Sequence, residues 1–469
     1  MLVLLVETAS AFQVTFHPDK LKFKEGDEQK IDFTISNYNF QEKEDSWHEF
    51  QINIDDPHIA DVKDGNRSIF IRKDDFDSTG SVNRSFVLSA KFLGLTDVYL
   101  IEVKNPTIKS LTDTLEVIVQ RKQSLLSLIF TITVATLVSL NYINMGCALD
   151  LSVVKAVLMK PIAPLVGFMS QYVLMPLTAY VIGYFMLYES DYLRLGLFIF
   201  GCSPAGGASN MWTVLLNGNL DLSITMTFIS TIAAAGMLPF WMYTLGKIVY
   251  SKTTTAVPVK SLMSTLVPMV VCLGIGLLFQ KYLPRVAAFC KKILAPVSVA
   301  MIIFIITFGT YANLYMFKLM NLAILFSAGI SVWIGFAVGY FLAWILRLPS
   351  KDQIAISIET GIQNTGIAYV LLGLSLLPPF NDIATVVPVA ASIMTPIPLT
   401  IVWIIMKCRR RFCSNKKASL NTLDEDHHDT HTSRNLSNSS SSTLLSDERN
   451  GLQRDVRCHA DYSGEIKSA

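Results

Sequence analysis

Two polar, glycine-rich segments interrupt long hydrophobic runs, and they hold the residues best suited to bind an ion. The first is Cys202 to Asn210, with the sequence CSPAGGASN, and the second is Glu359 to Gly366, ETGIQNTG. An unpaired backbone group is costly in a bilayer, so unwound backbone is retained there only where it lines a cavity or binds a ligand. Interrupted spans in both halves of a membrane protein indicate the binding site of a secondary transporter.

Glu359 is the acidic residue that lies deep inside a hydrophobic run. It follows about ten residues of that run, which at ~1.5 Å per residue places it ~15 Å deep, near the bilayer midplane. An ionised carboxylate at this depth is expensive and marks a functional site, where a bound cation or a proton offsets the charge. The alternative is a structural Glu that is kept neutral or hydrogen-bonded.

The same two segments supply further oxygen atoms. Hard cations such as Na⁺ take oxygen ligands, and unwound backbone offers carbonyl groups that have no helical partner. Side-chain oxygens come from Ser203, Ser209, Asn210, Thr360, Gln363 and Asn364. A lone Ser or Asn in a membrane helix usually joins helices together, but this cluster beside one buried carboxylate favours a cation site. The pattern predicts a carrier and not an enzyme.

Hydrophobic runs of membrane-spanning length position these segments. The chain has 469 residues, is 51% hydrophobic and has a mean hydropathy of +0.43. Runs of about twenty apolar residues, enough to cross a bilayer, predict nine spans at 124–145, 161–187, 193–216, 219–247, 261–282, 289–312, 320–346, 352–376 and 382–406. The interruptions fall in the third and eighth spans, which run in opposite directions, as inverted repeats require.

The region before these spans has the pattern of a soluble β domain. Residues 12–120 alternate polar and apolar positions in short stretches separated by turn residues, which predicts an all-β sandwich of the immunoglobulin or fibronectin type. All seven cysteines lie after residue 146, so a disulfide within this domain is excluded. The sequons at Asn66 and Asn83 predict N-glycosylation and therefore an extracellular face.

Both ends of the chain carry signals for targeting and orientation. Residues 1–11 hold a short apolar run and then three small residues, like the end of a signal peptide. Basic residues follow the last span, and the positive-inside rule then places the carboxyl end in the cytoplasm and the amino end outside. Three lysines between the fourth and fifth spans count against this orientation. Residues 408–469 predict a disordered cytoplasmic tail, and the net charge of +2 argues against nucleic acid as a partner.

Several segments resemble those of a known transporter family. CSPAGGASN, the following GNLDLSITMT and the later ETGIQN are similar to signature segments of the sodium/bile acid cotransporter family. Asn144 to Gly146 and Gln171 to Pro176 resemble further segments of that family, in matching order. The resemblance covers residues 124–407, which we expect to form the transmembrane domain. The long β region resembles a divergent branch with a large extracellular amino-terminal domain.

The resemblance implies a helical fold of a panel and a core, in which two crossed, broken helices hold two Na⁺ ions. Carried over by position, one ion site would use Ser209, Asn210, Ser223, Thr227 and Glu359. The other would use Gln171, Glu359, Thr360, the carbonyl of Ile362, and Gln363. Positions near the substrate would be Ala205, Gly206, Gly207 and Asn364. Ala205 stands where glycine is usual, and Gly207 stands where some relatives carry asparagine, so we expect taurocholate to be transported poorly.

The main hypothesis is a plasma-membrane symporter that couples Na⁺ to an amphipathic organic anion, such as a bile acid or a conjugated steroid. Two Na⁺ ions against one carboxylate leave net positive charge beside the interruptions, and helix amino ends add to it. One alternative is a proton-coupled carrier in which Glu359 titrates. The other is a non-transporting receptor or adhesion protein that acts through its β domain. Beyond co-transported Na⁺ no cofactor is expected, the bilayer is the surrounding partner, and the oligomeric state is left open.

Overall fold

The structure is a computed structural model, and it describes residues 12–38, 47–103, 114–122, 125–250, 259–409 and 411. The predicted signal segment at residues 1–11 and nearly all of the predicted tail lie outside the described residues. The chain divides into two compact units, Met1–Thr395 and Pro396–Ala469. The first unit contains the β domain and both polar interruptions, and the described part of the second is helical.

The described part of the amino-terminal region contains nine β-strands in two sheets. They are β1 (Gln13–His17), β2 (Lys20–Lys24), β3 (Glu28–Ser36), β4 (His48–Ile54), β5 (Ala60–Val62), β6 (Ser68–Ile71), β7 (Ser81–Ala90), β8 (Gly94–Glu102) and β9 (Leu115–Gln120). One sheet has the order β1-β3-β7-β5, and the other has the order β2-β9-β8-β4-β6. Neighbouring strands are antiparallel except for β2 and β9, which pair in parallel.

Alternation of buried and exposed residues along the strands explains why the two sheets pack together. In β3, Ile31, Phe33 and Ile35 are buried while the residues between them are more exposed, because successive side chains of a strand point to opposite faces. Buried side chains from both sheets, including Phe16 of β1 and Phe50 of β4, form a single hydrophobic core. The amino-terminal region is therefore a two-layered β domain, and the predicted all-β class is confirmed.

Helices make up most of the rest of the described chain. They are α1 (Leu125–Ala148), α2 (Leu151–Leu158), α3 (Ile162–Met169), α4 (Met175–Met186), α5 (Asp191–Cys202), α6 (Ala208–Leu215), α7 (Leu220–Trp241), α8 (Lys247–Tyr250), α9 (Val259–Tyr282), α10 (Pro284–Phe304), α11 (Thr310–Ala312), α12 (Leu314–Leu319), α13 (Leu322–Ile345), α14 (Ser350–Gly361), α15 (Thr365–Ser375) and α16 (Phe380–Met394). Three π-helical segments, Ser170–Leu174, Met242–Gly246 and Ile305–Gly309, join α3 to α4, α7 to α8 and α10 to α11.

Five helical stretches in the described part of the chain are long and apolar enough to cross a membrane. They are Leu128–Ala148, Ile162–Met186, Leu220–Val249, Leu322–Ile345 and Phe380–Arg409. Large apolar side chains on their surfaces are exposed, for example Phe185 and Leu322, and exposed apolar surface of this extent marks contact with a membrane or a partner. The chain is therefore a helical, multi-pass membrane protein, while the count of nine spans and the inverted repeat stay predictions.

The two polar interruptions lie between helices. The first separates α5 from α6, and the second separates α14 from α15. Pro204 lies in the first break and lacks a backbone N–H, so it cannot donate a helical hydrogen bond. Ala205 and Gln363 pair across the breaks as an isolated antiparallel bridge. The two unwound segments therefore cross each other.

Two glycines allow α1 and α9 to approach closely. A Cβ atom on Gly146 would lie 2.3 Å from the backbone oxygen of Leu273, and one on Gly276 would lie 2.2 Å from that of Ile143. Both distances are shorter than van der Waals contact, so glycine is required where the two backbones meet. This contact fixes the position of α1, whose Tyr142 reaches the second break.

Candidate ion-binding site

The crossing satisfies the backbone groups that the two broken helices release. The N–H of Gly206 donates to the carbonyl of Ile362, and the N–H of Asn364 donates to the carbonyl of Pro204, both at 2.8 Å. A Cβ atom on Gly206 would lie 2.8 Å from the backbone oxygen of Gln363, so a larger residue would push the two segments apart. Because these buried groups are paired, the unwound backbone is tolerated at this depth.

Hydroxyl groups from two helices surround the Glu359 carboxylate, which is 1% exposed. Ser209 of α6 donates to its Oε1 at 2.7 Å, and Thr227 of α7 donates to both carboxylate oxygens at 3.0 Å. Ser223 of α7 also donates to Oε1, and it contacts Asn210 Oδ1 at 2.9 Å. The structure thus brings together all five residues of the first predicted ion site, from α6, α7 and α14.

No Lys, Arg or His forms an ion pair with Glu359 in the part of the chain that the structure describes; its partners there are hydroxyl groups. Removing a carboxylate from water costs several kcal/mol unless an opposite charge compensates for it. The hydroxyl and amide oxygens around it keep lone pairs that a hard cation can use. Chemically, the cluster can hold either a small cation or a proton on the carboxylate.

The spacing of hydroxyl residues in α7 explains how this cluster forms. Ser223, Thr227 and Ser230 are four and three residues apart, so they lie on one face of the helix. The side chain of Asn219 caps α7 by accepting from the N–H of Leu222 at 3.2 Å. Its Nδ2 also donates to Asp352 Oδ1 in the first turn of α14 at 2.7 Å. This contact sets the position of α7 relative to the helix that carries Glu359.

Gln171 is the centre of the second predicted ion site. It lies in the π-helical segment between α3 and α4, a kind of insertion that often marks functional sites. Its Nε2 donates to Gln363 Oε1 at 2.6 Å and to the carbonyl of Ser203 at 2.7 Å. Its Oε1 is buried and has no hydrogen-bond partner among the residues that the structure describes. An unsatisfied buried acceptor is costly, and a cation would satisfy it.

The other members of the second site are less free to bind an ion. The hydroxyl of Thr360 donates to the carbonyl of Ile356 within α14 at 2.8 Å. The carbonyl of Thr360 accepts from Gln363 Nε2, also at 2.8 Å. The carbonyl of Ile362 accepts from Gly206 in the crossing. Each of these oxygens keeps a second lone pair, so the donor set fits Na⁺, although its members are more fully engaged than those around Glu359.

The four residues predicted to lie near the substrate separate into two pairs. Ala205 and Gly206 are buried in the crossing, where the N–H of Ala205 donates to Ser230 Oγ at 3.3 Å. Gly207 is exposed, and a Cβ atom there would have Asn141 Nδ2 as its nearest neighbour, at 3.7 Å. Asn364 is half-buried, and its Nδ2 donates to the hydroxyl of Tyr142 at 2.7 Å.

Several residues at the site were not singled out by sequence reasoning. Ser230 supports Ala205, and Thr213 donates to Ser223 Oγ at 3.2 Å. Tyr142 holds Asn364 in place from α1. Ser230 could have been found from the hydroxyl spacing of α7, whereas Tyr142 carries no local signal. A small cavity lies beside these groups and is lined by Gln171, Ala205, Ser230 and Glu359 among others.

The two predicted glycosylation residues lie on the β domain. Asn66 is exposed in the segment before β6, and Asn83 is exposed in β7. Asn66 Oδ1 accepts from the N–H of Ser68 at 3.2 Å, and Asn83 Oδ1 accepts from Thr34 Oγ1 at 2.7 Å. Both sequons are therefore on the surface, and whether they carry glycans stays a prediction.

Part of the chain is similar to known proteins. The Sodium Bile acid symporter family matches residues 135–319. The chain is 32% identical to the P3 protein of Homo sapiens over 254 residues, 54% of this chain and 53% of that protein. It is 31% identical to the hepatic sodium/bile acid cotransporter of Homo sapiens over 242 residues, 50% of this chain and 68% of that protein. It is 28% identical to the ileal sodium/bile acid cotransporter of Homo sapiens over 277 residues, 58% of this chain and 77% of that protein. The chain thus spans about half the length of the P3 relative.

Proposed function

The chain belongs to the sodium/bile acid symporter family, and on this basis we propose that it is a sodium-coupled symporter of an amphipathic organic anion. The observation that carries the proposal is the buried Glu359 carboxylate, which is surrounded by hydroxyl oxygens and paired with no basic side chain among the described residues. Na⁺ at this cluster would supply the missing positive charge. Gln171, with its unpartnered oxygen, would contribute to the second ion site.

The crossing also favours an anionic cargo. α6 and α15 both begin at the breaks, so two helix amino ends with partial positive charge lie there. Two bound Na⁺ ions would exceed the single negative charge of Glu359. An anion binding next to Gly207 and Asn364, the two accessible positions predicted near the substrate, would balance this charge. The relatives named as bile acid cotransporters fit such a cargo, whereas the differences at Ala205 and Gly207 favour a conjugated steroid over taurocholate.

The domain organisation is part of the same proposal. We infer nine spans with the two broken helices related by inverted repeats, in a transmembrane domain of residues 124–407. The β domain of residues 12–120 would be of the immunoglobulin or fibronectin type, extracellular and glycosylated. We further infer that residues 1–11 are part of a signal segment, that residues 408–469 form a cytoplasmic tail, and that the protein lies in the plasma membrane with its amino end outside.

Two alternative functions make different demands on the same residues. A proton-coupled carrier needs only a titrating Glu359 and gives no role to the unpartnered oxygen of Gln171. A receptor or adhesion protein acting through the β domain needs none of the oxygen cluster. The number of oxygen atoms directed at one buried carboxylate therefore favours Na⁺ coupling.

Uptake measurements in transfected cells test the proposal. Radiolabelled Na⁺ and a panel of sulfated steroids and bile acids are measured together, with Na⁺ replaced by choline as the control. We expect at least one anion to enter only with Na⁺ present. Uptake that follows a pH gradient and ignores Na⁺ would favour the proton carrier. Protein that reaches the surface and moves no member of the panel in either gradient would refute the symport proposal.

A further inference from the structure

The β domain packs directly against helices of the transmembrane region. Ile118 of β9 is 3% exposed and belongs to the same buried cluster as residues of the helices. Gln120 at the end of β9 donates through Nε2 to the carbonyl of Pro378 at 3.0 Å, just before α16. The ammonium of Lys318, in α12, lies 5.8 Å from the ring centroid of Phe92. The end of the β domain that leads into α1 therefore contacts α12 and the start of α16.

Arg121, the residue after β9, enters this contact with a charge. Its Nη2 lies 3.3 Å from Asp382 Oδ1 in the first turn of α16. The hydroxyl of Tyr315 in α12 donates to the same oxygen at 2.7 Å, and the guanidinium lies 4.2 Å from the ring centroid of Tyr315. The side chains of Arg121 and Asp382 are 15% and 11% exposed. Removing one partner of a pair this buried leaves an uncompensated charge and is strongly destabilising to the contact.

A layer of aromatic rings lies next to this ion pair. The ring of Phe130 in α1 is 6.2 Å from the ring of Phe304 at the end of α10 and 6.2 Å from that of Phe308 in the π-helical segment that follows. It is 6.1 Å from the ring of Tyr369 in α15. Centroid distances of this size are typical of attractive aromatic pairs. Tyr369 packs against the buried hydrophobic cluster that includes Phe380, the first residue of α16, two residues before Asp382. The layer therefore joins α1 and α10 to α15 near the start of α16, which carries Asp382.

The position of this layer relative to the crossing suggests a role. Tyr369 comes five residues after Asn364, about 7.5 Å along α15 at ~1.5 Å per residue. Phe130 comes shortly after the start of α1, at the end near the β domain. Between Phe130 and the crossing, Val138 of α1 is buried at 4% exposure and lies 3.2 Å from the position of a Cβ atom on Gly366. Along α1 and α15, the aromatic layer therefore lies between the β domain and the crossing.

We propose that the aromatic layer closes the route from the β-domain side to the crossing, and that the β domain holds this closure shut through the Arg121–Asp382 pair. The β domain is then a working part of the transporter and not a separate module on a tether. This inference rests on the proposed function for the identity of the molecule that uses the route. The closure itself can be measured without any transported substrate.

The test uses a cysteine placed beneath the layer as an accessibility reporter. Val138→Cys is a substitution of similar volume, and intact cells are labelled from outside with a membrane-impermeant maleimide, with the unsubstituted protein as the background. We expect weak labelling of Val138→Cys alone and about tenfold faster labelling when Arg121→Gln is added. A tenfold change in labelling rate corresponds to a loss of ~1.4 kcal/mol in the stability of the closed state. This is smaller than the usual cost of removing one partner of a buried ion pair.

Two controls separate an effect of the Arg121–Asp382 pair on the closure from misfolding of the protein. Arg84→Gln removes a surface arginine that pairs with Asp75 inside the β domain at 2.8 Å, and it should leave labelling unchanged. The exchange Arg121→Asp with Asp382→Arg should restore protection, which a misfolded protein would not do. Surface biotinylation checks that equal amounts of each variant protein reach the cell surface. Thr365→Cys serves as a second reporter if the Val138→Cys protein does not reach the surface.

The outcomes distinguish this inference from the symport proposal. Equal labelling with and without Arg121→Gln, in protein that is otherwise protected, would overturn the role of the ion pair. Strong labelling of the reporter with Arg121 intact would overturn the closure. Protection that depends on Arg121 in a protein that transports nothing would support the closure and refute the symport proposal.

Discussion

Replacing Glu359 by glutamine removes the only charge of the oxygen cluster while keeping its shape. The carboxylate is 1% exposed and accepts from three hydroxyl groups, so a bound Na⁺ would lie within about 4 Å of it. At that distance two unit charges interact by ~4 kcal/mol at an effective dielectric constant of ~20. The neutral glutamine lacks the desolvation cost of a buried carboxylate, and this difference offsets part of the lost attraction. We expect a net loss of ~2 to 3 kcal/mol, or an apparent Na⁺ affinity weaker by roughly 30- to 140-fold.

The assay is the rate of anion uptake by proteoliposomes as a function of external Na⁺ concentration. The Glu359→Gln protein should reach the cell surface normally, because a neutral amide can still accept from the hydroxyl groups of α7. Asp221→Asn is the matched control, since Asp221 is an exposed carboxylate in the first turn of α7 with no place in the cluster. An unchanged Na⁺ dependence of Glu359→Gln, in correctly inserted protein, would refute the assignment of the ion site.

Three further substitutions test the second ion site, the helix contact and the cargo. Gln171→Leu removes the buried Oε1 that has no partner among the described residues. The variant should show a Hill coefficient for Na⁺ closer to one and should keep part of its transport at saturating Na⁺; an unchanged Hill coefficient would exclude Gln171 as a Na⁺ ligand. Gly276→Ala should destabilise the protein by ~1–3 kcal/mol through overpacking, measured as a lower melting temperature in detergent. Gly274→Ala should not, because no atom of the described residues lies within 4 Å of a Cβ atom at that position; equal melting temperatures of the two variants would contradict the close contact. Ala205→Gly with Gly207→Asn should raise taurocholate uptake relative to other anions by roughly tenfold or more, mainly through the exposed position 207; unchanged selectivity would show that these positions do not set the cargo.

The sequence by itself predicted the parts of this protein that depend on local composition. Apolar runs identify the helical membrane region, and alternation over residues 12–120 identifies the β domain, because burial of apolar side chains follows the period of each backbone. The two glycine-rich breaks and the depth of Glu359 can likewise be read directly from the chain. The family resemblance then supplied Ser223 and Thr227, which also lie at helical spacing on one face of α7.

Contacts between distant residues were decided by the tertiary structure alone. Tyr142 meets Asn364 across 222 positions of the chain, and Arg121 meets Asp382 across 261. A carboxylate, an amide or a guanidinium has the same local pattern whether it faces solvent or a partner, so sequence cannot say which group will satisfy it. The choice depends on which helices pack together, and that packing also separates buried Ala205 from exposed Gly207, although both belong to the same glycine-rich break.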